Sequence, residues 1–319
     1  MSDHTPSARI WLAQILIGSA IWVLCALGMW HAAPADAWPR LVLLLAALVL
    51  VPGYVFVVLR RASAPWPALS VWQVPACGAA LLLIPAQLLP AGYLAGLLTF
   101  PWLIVTLGLA RAGWLRFWQH RTPEPGWLAL YAGLIYVSVG GSWMLGDRLG
   151  LSVFGFSTQI IQLTAIHFHY AGLFFPVLAG LGWLAAPSRT GAAACYLAIA
   201  AIPMTAIGIT LVQIWQWYLW EGISGAGVAI AGGMTAFAYL RLAVTGPWPR
   251  GTRMAWGVMS LSLIFSMCLA SLYAVRFWVT VPILSIPFMR TWHGAANVLG
   301  VTLMGLVGWI VAEIRAARV

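Results

Sequence analysis

Apolar runs of about 20 residues, each long enough to cross a bilayer as a helix, recur along the whole chain, and most charged residues fall between them. The pattern predicts ten spans, over 9–30, 41–59, 69–89, 91–110, 127–146, 157–185, 192–216, 222–243, 254–279 and 292–314. The expected fold is therefore all-α: a polytopic transmembrane helix bundle, a single domain over residues 1–319. The thinnest division is at Pro90, where spans three and four are joined by almost no loop; a single re-entrant unit there would invert every later orientation. The first run is too long for a signal-peptide core, and no convincing Ala-x-Ala cleavage site follows it, so it is expected to remain as a helix. No internal repeat favours an inverted-repeat transporter.

Composition sharpens this picture. The chain is 63% hydrophobic and 7% charged, with mean hydropathy +0.95, which excludes a soluble domain. The net charge of +10 does not point to nucleic acid. All sixteen basic residues are arginine, scattered at span ends rather than gathered in one patch. Alternating the sides of ten spans puts twelve of them together: Arg9, Arg60, Arg61, Arg111, Arg116, Arg121, Arg189, Arg241, Arg250, Arg253, Arg315 and Arg318. Arg40, Arg148, Arg276 and Arg290 fall on the other side. Excess positive charge marks the cytoplasmic face, so both termini are expected there, in a bacterial inner membrane with its lipids as partners. The four cysteines sit inside apolar runs with no metal or redox spacing and read as small buried hydrophobes. The twenty tryptophans concentrate at span ends, as interfacial belts do; a pocket wall of Trp215, Trp217, Tyr218 and Trp220 beside Glu221 is the alternative.

Against this apolar background the intramembrane histidines stand out, because an ionisable group at bilayer depth costs roughly 2.5–3.5 kcal/mol on insertion scales. His167 and His169 lie in span six within Gln162-Leu163-Thr164-Ala165-Ile166-His167-Phe168-His169-Tyr170, and His293 opens span ten. On a regular helix, positions 167 and 169 are about 200° apart, so they face opposite ways and cannot share a metal ion unless the helix unwinds. His169 shares its face with Gln162, while Pro176 loosens the backbone around residue 172. His293 and Asn297 are one turn apart on one face, so Asn297 can orient the imidazole. Topology brings Asp147, Arg148, Glu221, Arg276, Arg290, His293 and Asn297 to the outer half of the membrane. His4, His31 and His120 are assigned no role.

The segments Thr164-Ala165-Ile166-His167-Phe168-His169-Tyr170-Ala171-Gly172 and Met289-x-x-x-His293-Gly294-x-x-Asn297-x-x-Gly300 resemble the two signature stretches of the YndJ-like bacterial membrane proteins. Val298 departs from the alanine of that pattern. The resemblance implies a helical membrane fold and a site on these two segments, and it assigns no reaction. His-Phe-His-Tyr is also similar to a stretch of haem-copper oxidase subunit I, where such a pair ligates two haems from opposite helix faces. Three intramembrane histidines cannot supply two bis-His haems plus copper.

The leading expectation is a membrane enzyme acting on a lipophilic molecule (lipid, quinone or isoprenoid) by acid–base chemistry. His167 or His169 would be one proton carrier, His293 a second, and Glu221 a proton donor or counter-ion. Arg276 and Arg290 would hold an anionic portion, with Asn297 and Gln162 completing the binding set. The alternatives are a haem- or metal-binding redox protein, with His293 and either His167 or His169 as ligands, a proton-coupled transporter, or a structural role in which the polar groups lock helices together.

Overall fold

The computed structural model describes residues 8–32, 34–62, 65–279 and 281–316; His4 and Arg318 lie outside them. Every regular element among the described residues is helical. Ten helices among the described residues are long and apolar enough to cross a membrane: α1 Ile10–His31, α2 Ala37–Arg61, α3 Pro67–Leu88, α4 Tyr93–Gln119, α5 Pro125–Leu149, α6 Thr158–Ala185, α7 Arg189–Trp215, α8 Tyr218–Thr245, α9 Arg250–Ala274 and α10 Ile286–Ala316. At Pro90 the helices α3 and α4 are separate, with 22 and 27 residues. They are parted by a short connector that ends at Gly92, whose φ of +156° favours glycine.

The helix ends differ from the apolar runs where capping decides them. Ser285 accepts from the Phe288 N–H and Pro287 follows in the first turn, so α10 begins ahead of its apolar run and takes Arg290 into the helix. Without a side-chain cap, α8 starts at Tyr218 and holds Glu221 in its first turn. Conversely, α9 ends at Ala274, leaving Arg276 in a turn beyond it.

Three helices widen locally into π geometry: α2 over Ala46–Leu50, α6 over Phe168–Phe174 and α10 over Ala296–Leu303. In two of them a proline lies just downstream, Pro52 and Pro176. A proline lacks the N–H that would bond the carbonyl four residues back, and the ladder shifts register there. Gly18 on α1 lets that helix press against the carbonyl of Leu48, the one Pro52 leaves without its helical donor. In α10 no proline is involved; Thr302 Oγ1 instead donates 2.9 Å to the Asn297 carbonyl, five residues back.

The chain forms two compact units. The first comprises residues 1–121 and 134–173, the second residues 122–133 and 174–319. In the first, α2 is buried all round, as a helix apolar on every face must be, and Tyr170 on α6 donates 2.9 Å to the Val42 carbonyl. In the second, Gly126 and Gly180 bring α5 and α6 into backbone contact, the close approach that small residues allow in membranes. Its core holds a node of Tyr239, Trp256 and Trp309, all fully buried. Tyr239 Oη donates 2.9 Å to the Leu178 carbonyl and accepts from Trp309 Nε1 at 2.8 Å. Tyr239→Phe would remove the hydroxyl that accepts from the buried Trp309 Nε1 and donates to the Leu178 carbonyl and is expected to cost about 1–2 kcal/mol, measured by SDS titration in mixed micelles.

Tryptophan use is divided. Trp114, Trp118, Trp215, Trp217, Trp220, Trp278 and Trp292 are exposed at helix ends, whereas Trp11, Trp66 and Trp256, expected in the interfacial belt, are buried in protein. The described cysteines form no disulfide. Cys195 is buried, Cys25 and Cys77 are half-buried and Cys268 is exposed.

Candidate functional site

The histidine pair of α6 splits by burial. His167, the last residue before the π stretch, is exposed, and its Nδ1 sits 2.8 Å from the Leu163 carbonyl. His169, inside the π stretch, is fully buried. Its Nδ1 lies 2.8 Å from the Ala165 carbonyl and its Nε2 lies 3.0 Å from Nε1 of Trp102 on α4, which is also fully buried. These partners determine the tautomer. A carbonyl can only accept, so Nδ1 carries the proton; an indole N–H can only donate, so Nε2 keeps its lone pair. The two rings are close to parallel, 16° apart. Gly140 on α5 closes the third side, since a Cβ there would stand 2.7 Å from Nδ1. Both ring nitrogens of His169 are thus occupied in a close-packed setting. Gln162, two turns earlier on α6, is half-buried.

In the second unit, α9 and α10 carry a more open network. His293 is half-buried; its Nδ1 lies 3.0 Å from Ser266 Oγ and 3.1 Å from the Ser266 carbonyl. Asn297 Nδ2 faces three acceptors: Ser266 Oγ, His293 Nε2 at 3.2 Å and the His293 carbonyl at 2.9 Å. One amide nitrogen has two hydrogens for those three acceptors. The Nε2 lone pair of His293 is therefore held by a long, shared contact, unlike that of His169. Arg290, half-buried, lies three residues before His293, on the same helix stripe as His293 and Asn297. Ser266 is fully buried. Ser262, one turn earlier, meets Gly300 of α10, where a Cβ would collide with its hydroxyl. This packing presses the π stretch of α10 against the serine face of α9.

Toward the α9 C-terminus, roughly two turns from Ser266, Glu221 and Arg276 form an ion pair, with Arg276 Nη1 2.7 Å from Glu221 Oε1. The guanidinium also lies 3.9 Å from the Tyr273 ring centroid and 4.1 Å from that of Phe277. The carboxylate stands at the positive end of the α8 dipole. The neighbouring Trp215, Trp217 and Trp220 are exposed, so they line the surface rather than a closed pocket.

The six second-unit residues thus form two groups: His293, Asn297 and Ser266 with Arg290 alongside, and Glu221 with Arg276. His167, His169 and Gln162 belong to the first unit. Ser266 and Trp102 are the partners that residue spacing does not reveal; the only sequence signal for Ser266 is the Ser262/Ser266 pair one turn apart. Among the described residues no group of three or more His, Cys, Asp or Glu could hold a metal ion.

Ten lipid-length apolar helices among the described residues, most of them with large apolar side chains on their exposed faces, and ionisable groups gathered at helix–helix contacts, define a multi-pass integral membrane protein surrounded by lipid. The chain belongs to the YndJ-like protein family, whose model matches residues 41–301. It is similar to the uncharacterized membrane protein YndJ of Bacillus subtilis (strain 168), with 29% identity over 222 residues, 67% of this chain and 38% of the relative. The match thus spans well under half of that relative's length. No solved structure matches the chain.

Proposed function

We propose that the chain is an inner-membrane enzyme that acts on a lipophilic molecule by acid–base chemistry, with His293 as the proton carrier. The observation that carries this reading is the half-buried His293–Asn297–Ser266 network on a π-helical stretch, a distortion often found at functional sites. The Nε2 of His293 takes up a proton as the Asn297 amide turns to its other acceptors, and Ser266 steadies Nδ1. Arg290, on the same stripe, holds an anionic portion of the substrate. Glu221 acts as counter-ion to Arg276. His169, its two nitrogens occupied, positions α6 against α4. The reading sets this site in the outer half of the membrane, for which the twelve-to-four arginine split is the support.

The test is incubation of the purified protein with total bacterial membrane lipid, including quinones and isoprenoids, followed by mass spectrometry. One lipid class should be converted, and His293→Gln should lower the rate about 100-fold or more while leaving the thermal melt in place. Undiminished turnover in His293→Gln, or no lipid converted by the wild-type protein, refutes the reading.

A further inference from the structure

One histidine at bilayer depth has no part in either the His169 core or the His293 network. His167 is the tenth of the 28 residues of α6, about 7 Å from the middle of the helix and so within the roughly 30 Å hydrocarbon core. Between Thr158 and His167 only Ile161 and Ala165 are buried. Ile160, Leu163 and Thr164 are half-buried and share one face with the exposed His167. An ionisable residue at this depth normally meets a partner. Among the described residues His167 has the Leu163 carbonyl, through Nδ1, and nothing donates to Nε2.

The hydrogens on this face are already engaged. The Leu163 carbonyl only accepts, so Nδ1 carries the proton and Nε2 of the neutral ring has only its lone pair. Thr164 Oγ1 donates its hydrogen to the Ile160 carbonyl at 2.8 Å and keeps its lone pairs. Tyr170, the next polar residue beyond His169, donates to the Val42 carbonyl. Gln162 is turned about 140° from His167, and Gln159 lies about 12 Å before it along the axis. The face therefore offers two acceptors, one turn apart, and no donor.

That balance selects the occupant. An anion or a quinone carbonyl only accepts and finds no hydrogen there. A second copy docked about a two-fold axis would set the same acceptors against each other. Glycerol and headgroup hydroxyls sit in the interfacial region, outside the hydrocarbon core. A hydroquinone on an apolar tail dissolves in that core and carries two O–H donors on opposite edges of its ring. Their span is close to the separation of side chains one turn apart, about 5–6 Å between Cβ atoms.

We infer that His167 and Thr164 form a binding site for a membrane-dissolved hydroquinone. One hydroxyl donates to His167 Nε2 and the other to Thr164 Oγ1, while Ile160 and Leu163 give the ring an apolar contact. The site lies in the first unit and does not depend on the chemistry proposed for His293.

Thermal unfolding of the full chain in neutral detergent tests this. The probes are a para-hydroquinone with a decyl tail, kept reduced under nitrogen, its dimethyl ether, and the corresponding quinone in air. The hydroquinone should raise the melting temperature by several degrees, as a ligand bound only to the folded state does. The quinone and the dimethyl ether keep the ring and tail but have no O–H, and should not. His167→Leu should abolish the shift. Thr164→Val, which keeps the shape of the side chain and removes one acceptor, should weaken binding about tenfold. No shift with the hydroquinone, an equal shift with the quinone or the dimethyl ether, or a full shift retained in His167→Leu overturns the assignment.

Discussion

Arg276→Met is expected to destabilise the protein by about 1–3 kcal/mol, less than the loss of a partner from a fully buried ion pair costs, because the Arg276 side chain is 24% exposed and partly screened. Glu221 retains only 8% of its surface, and its carboxylate is held at 2.7 Å by Arg276. Without the guanidinium, the α8 dipole and the surrounding aromatics cannot replace the lost charge; Tyr273 and Phe277 present ring faces that favour a cation. Glu221→Gln in the same chain removes the orphaned charge, and the double variant should regain most of the stability. SDS titration of the wild type, both single variants and the double variant supplies the coupling energy. Additive single effects would show that the pair contributes nothing.

His169→Leu is the second large effect, expected at about 2–3 kcal/mol. The substitution deprives Trp102 Nε1 of its acceptor at a position with no solvent access, and the indole cannot turn away in a packed core. Trp102→Phe removes that donor. The His169→Leu/Trp102→Phe chain is therefore expected to be more stable than His169→Leu alone, although it carries one more truncation. The same cycle separates the two histidine sites: His169 should report chiefly on folding, whereas His293→Gln should leave the melt in place. A His169→Leu chain with wild-type stability would contradict the hydrogen-bonded pair.

Much of the architecture was legible in the residues, and the reason is the solvent. Lipid offers no hydrogen bonds, so a backbone crossing it must be helical, and each crossing needs its own apolar run. The ten runs accordingly correspond to ten helices, including the pair divided at Pro90. Ends were less legible, since a cap such as Ser285 or Ser188 depends on one hydroxyl meeting one N–H rather than on hydropathy. That is why Arg290 lies inside a helix that begins ahead of its apolar run. The tryptophans show the same limit: Trp256 and Trp114 look alike at span ends, and only packing buries the first and exposes the second.

Helical spacing by itself separated the two α6 histidines, because 100° per residue turns positions 167 and 169 to different faces. It also paired His293 with Asn297, which are one turn apart. Which α6 histidine is buried, that Trp102 and Gly140 enclose it, and that Ser266 completes the His293 network were decided only by tertiary contacts between residues 27 to 67 positions apart. The same holds for Arg40 and Arg148, which meet at the end of α3 from 47 and 59 residues away. Periodicity records what lies along one helix. The choice of neighbour belongs to shape, to where glycines allow backbones to touch, and to the need of each buried polar atom for a partner.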